Sequence, residues 1–184
     1  MRGADGNPHQ VRLEDARVIE LGGRSTTPMG VEPATLDVAP NRDLFVPFEY
    51  PVVDLDPGWY AIECSVVIDG SPATVRPGSR FSVPWPRGST RRDQLDVGAS
   101  AQASGGKVRV DRVECSSDSV RLAYEGVETP VSLAADGEKV PVLEATFDAE
   151  TGTGTVVAYP VLKTQHRLEV SFRGADAPIE IALP

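Results

Sequence analysis

The stretch Asp54–Gly70 reads DLDPGWYAIECSVVIDG, and its pattern decides the fold class. Tyr60, Ile62, Cys64, Val66 and Ile68 fall on every second residue. Successive side chains of an extended chain point to opposite faces, so these five share one apolar face of a β-strand. Trp59 alternates to the other face. The strand is bounded by a DPG turn signal before it and by IDG after it, both rich in residues that tolerate tight turns. A strand with Trp, Tyr and Cys together poses a choice between a catalytic site and a packed core, and the rest of the chain has to settle it.

The same two-residue period recurs outward from this segment. It appears at Val120, Leu122 and Tyr124; at Leu168, Val170 and Phe172; and at Ile179, Ile181 and Leu183. Shorter versions occur at Val11 and Leu13 and at Phe81, Val83 and Trp85. Turn signals such as NRD, RPGS, ADGE, DAETGTG and RGADAP separate them. No window of a dozen residues carries a helical apolar stripe free of Pro or Gly. The 17 glycines and 16 prolines in 184 residues imply many turns and disfavour long helices. Short strands at this spacing predict an antiparallel sandwich or barrel.

Between the strand-rich stretches lies PWPRGSTRRDQLDVGASAQASGGK, residues 84–107, which is polar, rich in small residues and patterned only at QLDV. A structureless run of some 20 residues is unusual inside one compact domain. The expected organisation is a flexible tail over 1–9, a first sandwich over 10–86, a linker over 87–106 and a second sandwich over 107–184. A single larger sandwich crossed by a long loop is the alternative.

Asp56, Gly58 and Tyr60 have the spacing D-x-G-x-Y. This resembles the tyrosine corner of immunoglobulin-like and fibronectin type III-like sandwiches, in which a Tyr at the start of a strand hydrogen-bonds its hydroxyl to main chain just upstream. A Tyr ring that enters a core needs a partner for its hydroxyl, and a tight turn can supply one. The resemblance implies an all-β chain of two antiparallel immunoglobulin-like β-sandwich domains in tandem. In the immunoglobulin pattern a cysteine stands two residues after the Tyr. Here that position is Ile62, and Cys64 comes two further on, a departure from the antibody-type disulfide.

The net charge of −9 opposes adhesion to nucleic acid or to an anionic membrane. No window approaches the 18 apolar residues of a transmembrane helix. The N-terminus MRGADGNPHQ lacks the apolar core of a signal peptide, which implies a cytoplasmic protein, or an exported one whose leader has been removed. Arg outnumbers Lys 15 to 3, a composition resembling that of GC-rich bacterial genomes.

Candidate chemistry is sparse. Cys64 and Cys115 form no metal or redox motif. Cys64 sits on the apolar face, as a small buried hydrophobe would. His9 lies in the tail and His166 at the entry to a strand, neither in a metal-binding spacing. No G-x-S-x-G elbow or phosphate-binding glycine loop is present. The carboxylate pairs Asp54/Asp56 and Asp136/Glu138 lie in turns, where Asp is common for local reasons. The expectation is therefore no catalytic residue, no metal and no cofactor.

One stretch breaks the charge balance. Residues 70–92, GSPATVRPGSRFSVPWPRGSTRR, hold five arginines and no acid. Arg with aromatics is the composition of protein interfaces, so Arg76, Arg80, Trp85, Arg87, Arg91 and Arg92 are the expected contact residues for a protein partner. The competing view pairs these arginines within the chain and puts Phe81 and Trp85 in the core. Trp59 is a candidate platform for a small ligand. The sequence thus points to a non-enzymatic interaction or structural module that binds another protein. The alternatives are a carbohydrate- or ligand-binding module using Trp59 or Trp85, and a small hydrolase using His166. An exposed edge strand also offers a route to a homodimer.

Overall fold

The computed structural model describes residues 7–23, 26–40, 55–76 and 80–184. The chain divides into two compact units, Met1–Val83 and Pro84–Pro184. Every regular element among the described residues is a β-strand. No helix there is long and apolar enough to cross a membrane.

The N-terminal unit is built around two long strands, β1 (His9–Glu20) and β4 (Gly58–Ile68), which run antiparallel. The far edge of β1 is shared by β2 (Thr26–Pro28) and β3 (Ala34–Val38). The far edge of β4 is shared by β5 (Ser71–Val75) and β6 (Arg80–Val83). Asp69 and Gly70, both with positive φ, make the two-residue turn between β4 and β5. Such turns match the right-handed twist of the strands they join. One bulge, at Glu14, keeps Leu13 and Ala16 on the same face of β1. That face carries Val11, Leu13 and Ala16, which pack with Cys64 and Val66 of β4 and with Val38. Val18 and Tyr60 are also buried, at 1% and 2% exposure. Each Val or Leu among them contributes about 1.5–3 kcal/mol on burial. His9, expected in a flexible tail, begins β1: its Nδ1 lies 2.6 Å from the Asp69 carboxylate, and Asp69 also accepts the Gln10 N–H.

The tyrosine corner is present. Tyr60 Oη donates to the main-chain oxygen of Asp56 at 2.7 Å, while the Tyr60 ring stacks on Phe81 with centroids 5.6 Å apart. The bond is worth about 1 kcal/mol and also fixes the direction in which β4 leaves the DPG turn. The described residues of this unit form one sheet. Residues 41–54, including Asp54, lie outside them.

The C-terminal unit is a sandwich of two sheets. The first has the order β12-β13-β9-β8-β7 and the second β11-β10-β14-β15. Its strands are β7 (Gln94–Ala103), β8 (Gly106–Cys115), β9 (Val120–Glu125), β10 (Val131–Ala135), β11 (Glu138–Val140), β12 (Val142–Asp148), β13 (Thr153–Ala158), β14 (Arg167–Phe172) and β15 (Ile179–Ala182). Taking β8, β9, β13 and β12 as A, B, E and D, and β10, β14 and β15 as C, F and G, reproduces the immunoglobulin strand order, with β7 added outside A. Val108, Val110, Val113, Val120, Leu122 and Val156 line the inner face of one sheet, Leu168 and Val170 that of the other, all fully buried. Tyr124 of β9 meets Phe172 of β14 edge-on, 5.4 Å between centroids, and so joins the two sheets.

Residues 87–106 differ from the expected linker. They contain β7, and the division of the chain into its two units falls between Val83 and Pro84. The reason is local. Strand β7 is an edge of small residues whose alternation runs Leu95, Val97, Ala99, Ala101, Ala103, and a bulge at Val97–Gly98 interrupts its register. Only Ala103 is buried, so the apolar signal is too weak to stand out.

Candidate functional site

The arginine-rich stretch is split by the unit boundary. In the N-terminal unit, Arg76 Nε donates to Glu63 at 2.6 Å and Arg17 Nε donates to the same carboxylate at 2.7 Å, reinforced by a second, short contact from the Arg17 guanidinium. Glu63 sits opposite Arg17 in the β1–β4 register, on the face away from the Val11–Val66 core, and is only 3% exposed. The hydrogen bond from Arg76, then that from Arg17, holds its carboxyl below the usual glutamate range despite burial. Arg76 is therefore committed to an intramolecular pair. Arg80 is exposed on β6, opposite Ala61. Trp59 is half-buried on the Glu63 face, opposite Ser82.

A pH dependence follows. Glu63 is bound as the anion in the folded state, so its contribution is complete above the pKa of an unfolded glutamate. It is lost as the pH falls through the lower folded value. Thermal melts of the N-terminal unit, followed by Trp59 fluorescence in a Trp85→Phe background, should weaken as the pH drops below about 4.5. In Glu63→Gln that acid-side slope should be shallower. An unchanged slope would mean that other carboxylates set the acid limit.

In the C-terminal unit, Trp85 is half-buried and packs edge-on against Tyr159, 5.5 Å between centroids. Arg87 is exposed in the turn that follows. Arg91 departs from its expected place on a partner-binding surface, because the structure buries it to 6% exposure. Its Nε donates to the main-chain oxygen of Gln165 at 3.0 Å, and one terminal nitrogen donates to Gln165 O at 2.7 Å and Lys163 O at 3.4 Å. The other makes a short bond to Pro184 O and lies 3.5 Å from the Asp93 carboxylate. The guanidinium has a fixed fork of donors, and it ties its own segment to Lys163–Gln165 and to Pro184.

Next to Arg91 lies an open groove of about 550 Å³ lined by Arg91, Arg92, Asp93, Lys163, His166 and Pro184. Arg92, Lys163 and His166 are exposed. The Asp136 carboxylate, at the β10–β11 turn, accepts the main-chain N–H groups of His166 and Arg167. Arg92 was singled out in the sequence. Lys163 and His166 were not joined to it, because some 70 residues separate them and no local spacing signals the meeting.

A second groove, about 590 Å³, lies on the outer face of β7, β8 and β9, where adjacent bulges at Val97–Gly98 and Asp111 open the sheet. Its charges are matched among themselves: Arg109 lies 3.3 Å from Asp111, and Arg112 lies 3.5 Å from both Asp96 and Glu114.

Cys64 and Cys115 are free, buried, and belong to different units. Burial pushes both thiols above their ordinary pKa, which leaves little thiolate at neutral pH. No group of three His, Cys, Asp or Glu among the described residues is placed to hold a metal ion.

No protein-family model matches the chain, and no curated protein matches it. Among solved structures, the chain is similar to a marsupial T cell receptor at 12% identity and a TM-score of 0.31. The match covers 97% of this chain and 53% of that one, so the chain spans about half the length of the receptor chain. A score of that size carries no weight for fold or function, and the strand order of the C-terminal unit stands on its own pairing.

Proposed function

We propose that the chain is a non-enzymatic interaction module of two immunoglobulin-like β-sandwich units in tandem that binds another protein through its surface. The strand order of the C-terminal unit and the Tyr60–Asp56 corner of the N-terminal one support the tandem reading. Several candidate chemical groups have structural work. The Asp136 carboxylate holds the start of β14, and the cysteines are core residues.

The observation that carries the binding reading is the exposure of Arg87 and Arg92 in an acidic protein, beside a buried Arg91 that holds the neighbouring loop rigid. Arg at a rigid, partly desolvated surface is a frequent anchor of protein interfaces. The test is affinity capture from the source cell's own extract with the full chain as bait. A discrete protein should be retained and then lost with the Arg87→Glu/Arg92→Glu double variant. An identical capture profile for the two baits would overturn the reading.

A further inference from the structure

We propose that the groove bounded by Arg92, Lys163 and His166 is the binding site for an extended, carboxylate-rich segment of a partner protein. This rests on the interaction-module reading above and names the chemistry of the partner.

The first argument is preorganisation. The segment that carries Lys163 and His166 is fixed before any ligand arrives. Arg91 N–H donates to Val161 O, Lys163 N–H donates to Ser89 O, and Gln165 Oε1 accepts the Leu162 N–H. The buried Arg91 guanidinium then holds Lys163 O and Gln165 O from below. A ligand that meets such a surface has little loop ordering to overcome.

The second argument is charge. Of the groove-lining side chains, Arg91, Arg92 and Lys163 are cations and Asp93 is the single acid, three minus one, a surplus of two before His166 is counted. Arg91 is taken up by the main-chain oxygens of Lys163, Gln165 and Pro184 and by Asp93 at 3.5 Å, which leaves Arg92 and Lys163 as the exposed cations of the groove. Asp136, beside His166, directs its carboxylate at the main-chain N–H groups of His166 and Arg167. This is a local positive field in a chain of net charge −9, and it favours encounter with carboxylates.

The third argument is shape and lining. A groove of about 550 Å³ accommodates a run of side chains more readily than a single small ion. Among the described residues, its lining has no Trp, Tyr or Phe on which a nucleic-acid base could stack, and the net negative charge of the chain opposes a polyphosphate backbone.

The test is fluorescence anisotropy of the full chain with a labelled, glutamate-rich decapeptide. Binding is expected at about 20 mM salt and should weaken at least about tenfold by about 200 mM, as screening shortens the reach of the field. The Arg92→Glu/Lys163→Glu variant, with both changes at exposed positions and a melting temperature equal to wild type, should lose at least about tenfold in affinity. Arg173→Glu, at an exposed arginine outside the groove, should bind as wild type does. The inference is overturned if the double variant binds like wild type, if Arg173→Glu loses as much, or if a single-stranded oligonucleotide of equal charge binds more tightly than the peptide. Should the peptide fail to bind while the captured protein is still lost with Arg87→Glu/Arg92→Glu, the interaction-module reading stands and this assignment of its ligand falls.

Discussion

Replacing Arg91 by alanine is expected to destabilise the C-terminal unit by about 3 kcal/mol or more. Hydrogen bonds to a charged group contribute about 1.5–3 kcal/mol each, and this change removes a buried guanidinium that binds several main-chain oxygens at once. Those oxygens belong to Lys163, Gln165 and Pro184, with Asp93 losing its cation as well. In a unit of this size each kcal/mol lowers the melting temperature by about 4–8 °C, so a fall of at least about 12 °C is expected. The measurement is thermal unfolding followed by Trp85 fluorescence in a Trp59→Phe background, since Trp85 reports from the same unit through its contact with Tyr159. Arg91→Lys should recover little, because one ammonium cannot reproduce a fork that reaches three carbonyls. A loss below about 1 kcal/mol would mean that the three segments hold together without the guanidinium.

An equally large loss is expected from Gly126→Ala. Gly126 ends β9 and turns the chain toward the other sheet with φ 130°, a region that L side chains rarely occupy. A Cβ there would lie 2.2 Å from the Lys107 carbonyl oxygen and 3.0 Å from Val108 Cα. Both are main-chain atoms of β8, whose position is fixed by its pairing with β7 and β9. The backbone conformation costs about 1–3 kcal/mol and the overlap about 1–3 more. Gly137→Ala separates the two effects. Gly137 also has positive φ, 83°, in the Asp136–Gly137 turn, but nothing lies within 4 Å of its Cβ position. That variant should lose only about 1–2 kcal/mol. Equal losses at 126 and 137, measured by denaturant unfolding, would show that conformation alone matters and that β8 yields to the added methyl.

Local signals in the sequence were sufficient where a residue's role depends on its immediate neighbours. The alternation of Tyr60, Cys64 and Val66 sets which side chains enter the core, and period two leaves no other arrangement for a strand with one buried face. Asp69-Gly70 and Asp136-Gly137 each mark a hairpin because positive φ at both positions is a local steric property. The D-x-G-x-Y spacing places a hydroxyl within reach of a carbonyl four residues upstream, again a short-range geometry.

What the sequence could not show was every contact made between distant segments. Strand β7 went unrecognised because an edge strand of alanines buries little and leaves little apolar periodicity. The arginines of residues 70–92 form one run in sequence, yet Arg76 belongs to Glu63, Arg91 to the Lys163–Gln165 segment and Pro184, and Arg92 to a groove completed by Lys163 and His166. Charge has no periodicity that reveals its partner. Whether a cation is buried, paired or left facing solvent depends on which carbonyls and carboxylates the fold brings to it. The chain alone therefore determined that this is a β protein with its Tyr60 and Cys64 turned inward. Only the tertiary structure decided which of its arginines hold the fold together and which remain exposed.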